Sequence, residues 1–190
     1  MRQFFASLIE IIEVTIIALV AVFLVRTYLF QPFLVSGASM ETNFSHGDYI
    51  LVDELTYYFK EPSRGEVIIF RYPKDEATYF IKRIIGLPGE TVEIFDNHIT
   101  IYNGNNPKGI ALDESYIGRG TAVLPCSSEQ GRSNTKFSLK EGEYFVMGDN
   151  RLASFDSRCW GAIQDEHIIG IARLRLWPLN KVMAISAPAY

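Results

Sequence analysis

Thr78-Tyr79-Phe80-Ile81-Lys82-Arg83-Ile84-Ile85-Gly86-Leu87-Pro88-Gly89 is the stretch whose reading decides the fold. Its β-branched and aromatic residues fit a pleated strand, and Gly86 with Pro88-Gly89 closes it in a turn. A strand is therefore expected over Thr78 to Ile85. Alternation puts Lys82 on the face shared with Phe80 and Ile84, so burial of that face would strip water from its amine. Taken alone, Lys82-Arg83 reads as an exposed basic pair near a strand end.

The same signals recur on both sides. Arg64-Gly65 opens a run from Glu66 to Tyr72, which Pro73 stops. His46-Gly47-Asp48 is a turn leading into Tyr49-Ile50-Leu51-Val52. Thr91 to Phe95 and Ile99 to Tyr102 form a hairpin across Asp96-Asn97, and Tyr144 to Met147 and Ile168 to Leu176 supply further strands. Between about Asn103 and Phe137 the chain is looser, rich in Gly, Asn and Ser. No helical periodicity appears beyond the N-terminus, and no repeat recurs at a period of about 20–50 residues. The expected fold is mainly β.

With 190 residues, 48% hydrophobic and 21% charged, the chain has one domain's worth of core plus an appendage. A net charge of −4 without a basic stripe argues against nucleic acid as a partner. Cys126 and Cys159 stand far apart with no metal-ligand spacing, so no metal is expected; free thiols are the expected state, and a disulfide between them in an oxidising compartment stays open. No cofactor is expected. His46, His98 and His167 fall in turns or at a strand start and are read as structural or exposed.

Residues Phe4 to Phe30 are strongly apolar but carry Glu10, Glu13 and Arg26. The uncharged run Val14 to Val25 would span about 18 Å as a helix, short of the ~30 Å hydrocarbon core. On hydropathy alone it fits a signal-peptide h-region, with small Ser36 and Ala38 ahead of a cut before Ser39, as well as it fits a membrane span. The total apolar length and the charges near its ends favour an uncleaved anchor over residues 1–30, with Pro32 ending the helix. Charge bias specifies orientation weakly.

Three boxes carry a resemblance to a known family. The first is Ser36-Gly37-Ala38-Ser39-Met40, and the second is the Lys82 stretch quoted above. The third is Gly148-Asp149-Asn150-Arg151, running on through Ser154 to Asp156-Ser157-Arg158-Cys159-Trp160-Gly161. In order and character they resemble bacterial type I signal peptidases. The resemblance runs from Arg26 to Pro178 and weakens between about Asn103 and Phe137.

The resemblance implies a signal-peptidase-like all-β catalytic domain over residues 31–190, with a variable insertion near 103–137 and one N-terminal transmembrane helix. It implies a serine endopeptidase, single-pass in the cell (inner) membrane, with its domain on the extracytoplasmic side. Its partners would be membrane lipid and the signal peptides of exported preproteins, cut after Ala-x-Ala-type sites. It makes Ser39 the nucleophile and Lys82 its general base, a serine–lysine variant of the triad logic. Ser154 would hydrogen-bond the lysine, Asp156 and Arg158 would form a supporting ion pair, and Asp149 would shape its loop. The Ser39 backbone N–H would be the first oxyanion donor. Gly37 stands where some members carry a serine whose hydroxyl is a further donor, though Gram-positive members also have glycine there.

The chain departs from the family in two places. Thr42-Asn43-Phe44 replaces the usual Pro-Thr-Leu, which is expected to free the loop, and Leu152-Ala153 replaces a frequent polar pair. Other readings are a weak paralogue that binds signal peptides without cutting, and a specialised processing peptidase. A self-cleaving repressor lacks support, because no DNA-binding helical region is evident. Walls for the substrate's small side chains are expected from Phe33-Leu34-Val35 and the strand holding Lys82.

Overall fold

The computed structural model describes residues 2–28, 30–117 and 135–188. It is mainly β with few helices. Helix α1 (Arg2–Tyr28) leads into β1 (Phe30–Leu34), β2 (Tyr49–Asp53), β3 (Val67–Tyr72) and β4 (Asp75–Gly86). Then come β5 (Thr91–Phe95), β6 (His98–Asn103), β7 (Asn106–Ala111), β8 (Thr135–Ser138) and β9 (Glu143–Met147). A short helix α2 (Ser157–Trp160) precedes β10 (Ile163–Gln164), β11 (Ile168–Trp177) and β12 (Met183–Ala184). The larger sheet has the order β1-β2-β11-β3-β4-β9-β10, with β12 beside β11. The smaller sheet is β7-β6-β5-β8.

Strand β4 is central because every residue from Ile81 to Gly86 is buried. Ile81 packs with Val35, Met40, Phe44, Ile50 and Val67, whereas Ile84 packs with Ile68, Phe70, Val146 and Ile163. Ile85 belongs to a third cluster with Val92, Ile99, Leu139 and Phe145. A strand covered on both faces reads as a continuous apolar run rather than an alternating one. Truncating Ile84 to Ala would cost about 2–5 kcal/mol. Gly86 marks the crossing toward the smaller sheet. A Cβ there would lie 2.5 Å from Val92 and 2.8 Å from Leu139, and the pairing of β4 with β9 slips between Ile84 and Gly86.

The hairpin across Asp96-Asn97 forms as expected: Phe95 pairs with His98, and both turn residues take positive φ. Three findings differ from the sequence reading. Helix α1 stops at Tyr28, and Phe30 already pairs with Asp53, so Pro32 lies in an edge strand rather than at a helix end. The expected loose segment contains β7, paired with β6, and β8, paired with β5. Backbone pairing there overrides a Gly- and Asn-rich composition. Cys159 is disulfide-bonded rather than free, while the other cysteine in the sequence, Cys126, lies outside the described residues. Among the described residues no helix is long and apolar enough to cross a membrane.

Candidate active site

Ser39 sits in the turn that follows β1. Its neighbour Met40 and Phe44, four residues on, are 1% and 3% exposed, so two apolar side chains anchor the turn on either side of Thr42. Backbone bonds tighten it, Phe44 N–H to Met40 O at 2.8 Å and Glu41 N–H to Ala38 O at 3.1 Å. From the third box, Asn150 donates its backbone N–H to Ser39 O at 3.0 Å and its side-chain amide to Ala38 O at 3.1 Å. The expectation that losing the proline frees this loop is therefore corrected: burial and cross-links hold it.

Strand β4 brings the base candidate. Lys82 Nζ donates to Ser39 Oγ at 2.7 Å and to Ile81 O at 3.0 Å, and it stands 5.2 Å from the centre of the Phe80 ring. Lys82 is only 3% exposed. Burial lowers its pKa from 10.5 to about 8; the charges of Asp156 and Asp149 oppose that, and Arg158 adds to it. A hydroxyl at 2.7 Å from an amine so poised can be deprotonated near neutral pH.

The third box folds against this pair. Gly148 fits where nothing larger could, since a Cβ would come within 2.3 Å of both Ser39 O and Ser154 Oγ. Its N–H donates to Asp156 Oδ2 at 3.0 Å. Arg158 grips Asp156 with two bonds of 2.8 Å and donates to Arg151 O at 2.7 Å. The pair is buried, with side chains 3% and 0% exposed, so it is no surface salt bridge. Asp156 also caps α2 by accepting from Arg158 N–H.

Ser154 departs from what the resemblance implied. Its Oγ is buried and has no hydrogen-bond partner among the described residues, while the bonds of Lys82 run to Ser39 and Ile81. The hydroxyl lies against Gly148 beside the pair but does not bond the lysine. Gly37 adopts φ +93°, donates its N–H to His46 Nδ1 at 3.3 Å, and faces open space where a side chain would stand. Among the described residues nothing accepts from Ser39 N–H, which leaves that donor available to an oxyanion.

Sequence reasoning missed Arg83. On the opposite side of β4 from Lys82, it forms a buried fork to Asp149, Nε to Oδ1 at 2.8 Å and Nη2 to Oδ2 at 2.7 Å. It also donates to Gly65 O and lies over the Tyr116 ring. Arg151, 2% exposed, forms an ion pair with Glu114 and bonds Tyr116 Oη at 3.1 Å. The signal was present in two conspicuous charges, Arg83 beside the base and Arg151 inside the third box. Their partners lie 66 and 37 residues away and could not be read from spacing.

Ser39 and Lys82 open onto a cleft of about 320 Å³. Its walls include Phe33, Leu34 and Val35 on one side and Tyr79, Phe80 and Ile81 on the other, with Ala153 and Phe155 also lining it. The expected walls are thus brought together.

Such a fold and site define a serine peptidase of the serine–lysine kind. A family model described as "Signal peptidase, peptidase S26" matches residues 8–177. The chain belongs to the signal peptidase family of S26 serine peptidases. It is 32% identical to signal peptidase I P of Bacillus subtilis subsp. natto, over 93% of this chain and 93% of that one. It is 34% identical to signal peptidase I of Aquifex aeolicus, over 86% of this chain and 81% of that one. A crystal structure of a signal peptidase I from Enterococcus faecalis V583 aligns at 30% identity with a TM-score of 0.46, covering 59% of this chain and 97% of that one.

Proposed function

We propose that this enzyme is a membrane-bound endopeptidase that cleaves signal peptides from exported preproteins after small residues. Ser39 is the nucleophile and Lys82 the general base. Neutral Lys82 takes the Ser39 proton as Oγ attacks the scissile carbonyl, and the Ser39 N–H receives the oxyanion. The resulting ammonium protonates the leaving amine, and water then releases the acyl group by the reverse proton path. Asp156 with Arg158, and Asp149 with Arg83, hold the third box against Ser39. Gly37 leaves room for substrate, and Ser154 packs beside the dyad. The observation that carries the reading is the 2.7 Å contact between Ser39 and a buried lysine to which no carboxylate among the described residues is bonded.

Small side chains at −1 and −3 follow from an extended substrate presenting alternate residues to one wall of an apolar cleft of about 320 Å³. One preprotein carrying Ala, Ser, Val, Leu or Phe at −1 tests this: Ala and Ser are cut, Leu and Phe are not. Equal processing of Phe and Ala would end the signal-peptidase reading even with a working dyad.

Residues 1–30 form the anchor and 31–190 the extracytoplasmic catalytic domain. Helix α1 has 27 residues, about 40 Å of helix. From Ile9 to Phe23 its large apolar side chains are all exposed, on every side. Among the described residues nothing covers these side chains, and a lipid surface would supply the cover, with Glu10 and Glu13 near one end. Alkaline carbonate washing is expected to leave full-length chain in the membrane fraction. A soluble chain beginning at Ser39 would overturn the anchor.

A further inference from the structure

Asn43 stands where the family's usual Pro-Thr-Leu has threonine, and its side chain joins three separate parts of the molecule. The amide Nδ2 donates to Asp149 Oδ2 at 2.8 Å and to Tyr116 O at 3.2 Å, so both of its N–H groups are engaged. Its backbone N–H donates to Met40 O at 3.0 Å, and its carbonyl accepts from the Arg175 guanidinium. A threonine hydroxyl offers one donor and could not serve both acceptors.

The acceptors matter because of what else they hold. Asp149 is the buried carboxylate gripped by Arg83, the neighbour of Lys82 on β4. The residue after Asp149, Asn150, bonds Ser39 O and Ala38 O. Tyr116 lies over Arg83 and bonds Arg151 of the same box. The turn carrying Ser39 is thereby tied to the third box ahead of Thr42 by Asn150 and beyond it by Asn43.

We propose that Asn43 is a positioning residue: its two amide bonds fix the Ser39 turn against the Asp149 turn and so hold Ser39 Oγ on Lys82. This rests on the Ser39–Lys82 reading. Asn43 touches no reacting atom. Removing its amide lets the turn shift while Met40 and Phe44 stay buried, so the domain remains folded and the Ser39–Lys82 alignment suffers. A misplacement of about 1 Å at reacting atoms costs on the order of a hundredfold in rate.

The test is steady-state cleavage of one preprotein in detergent by the full-length enzyme, with thermal melting alongside. N43A removes both donors. N43D keeps the shape but sets a carboxylate against Asp149, so it keeps the packing and loses the bonds. Both are expected to lower kcat about 10- to 100-fold with KM within about twofold and a cooperative melt retained. Wild-type kcat in N43A overturns the assignment. So does a loss that appears in KM alone, or one that both variants trace to unfolding. S39A run in parallel separates the two readings. If S39A still cuts, the dyad fails; if S39A is dead and N43A is unimpaired, only the role of Asn43 fails.

Discussion

Lys82 and Arg83 are consecutive on β4, both basic and both less than 5% exposed, yet the two faces of the strand treat them differently. On one face Lys82 meets a serine hydroxyl, a backbone carbonyl and the ring of Phe80. Among the described residues no carboxylate bonds it, and burial draws its pKa down to about 8. On the other face Arg83 meets a carboxylate, a carbonyl and Tyr116, and its charge is matched. Burial without a bonded counter-ion favours the neutral amine that the proposed base requires, and burial with one makes a brace. Arginine suits the second role because its planar fork binds a carboxylate through two bonds, and it stays protonated.

The sharpest way to break this comparison is to give the Lys82 face a permanent cation. Lys82→Arg is expected to abolish preprotein cleavage, a loss of at least about 10³-fold, because a guanidinium cannot accept the serine proton. Ser39→Ala should be equally dead. Retained turnover in the arginine variant would refute the contrast.

The next test removes the brace. Arg83→Met leaves Asp149 buried and unpaired, which is expected to cost about 3–5 kcal/mol in denaturant unfolding. Activity should fall with it, since the Asp149 turn carries Asn150 onto Ser39 O. An unchanged midpoint would mean that the fork is not holding the third box.

The pH profile sharpens the Lys82 side. Only the neutral amine accepts a proton, so kcat/KM should fall about tenfold per unit below a midpoint near pH 8 and level off above it. A flat profile from pH 6 to 9 would exclude Lys82 as the base.

The smallest expected effect concerns stability. A lysine pKa lowered from 10.5 to about 8 on folding means that the unfolded chain holds more protons between those values. Stability attributable to Lys82 therefore rises with pH across that window, and the penalty is fully present below about pH 8. Lys82→Met should relieve it, raising stability at pH 7 by up to about 3 kcal/mol while destroying activity. A destabilised methionine variant would show that Lys82 contributes more through its two hydrogen bonds than it costs through its charge.

Much of this was legible before the structure. The strands around Glu66–Tyr72 and Thr78–Ile85 carry unmistakable local signals, as does the hairpin at Asp96-Asn97, where short-range backbone preferences decide the outcome. The three boxes pointed to Ser39 and Lys82, which the fold brings within 2.7 Å. The failures have different causes. Ser154 was given a bond to the lysine that its Oγ does not make, and Thr42-Asn43-Phe44 was read as loosening a loop that Met40, Phe44 and Asn43 pin. A free thiol was the expected state of Cys159, with a disulfide left open, and β7 was lost in a Gly- and Asn-rich stretch. Asn43 finds Asp149 across 106 residues of chain, beyond the reach of any local signal, whereas β7 pairs with the adjacent β6, where backbone pairing outweighs composition.

Taken by itself, the sequence determined the mainly β character of the chain, the strand that carries Lys82 and the residue types that the proposed serine–lysine chemistry needs. These rest on periodicity, turn chemistry and motif order, all local properties. Tertiary structure alone decided which of two adjacent basic residues meets a carboxylate and which stays unmatched. Asp149 reaches Arg83 across 66 residues of chain. Which face of β4 it approaches is set by sheet register, and a slip of one residue exchanges the faces.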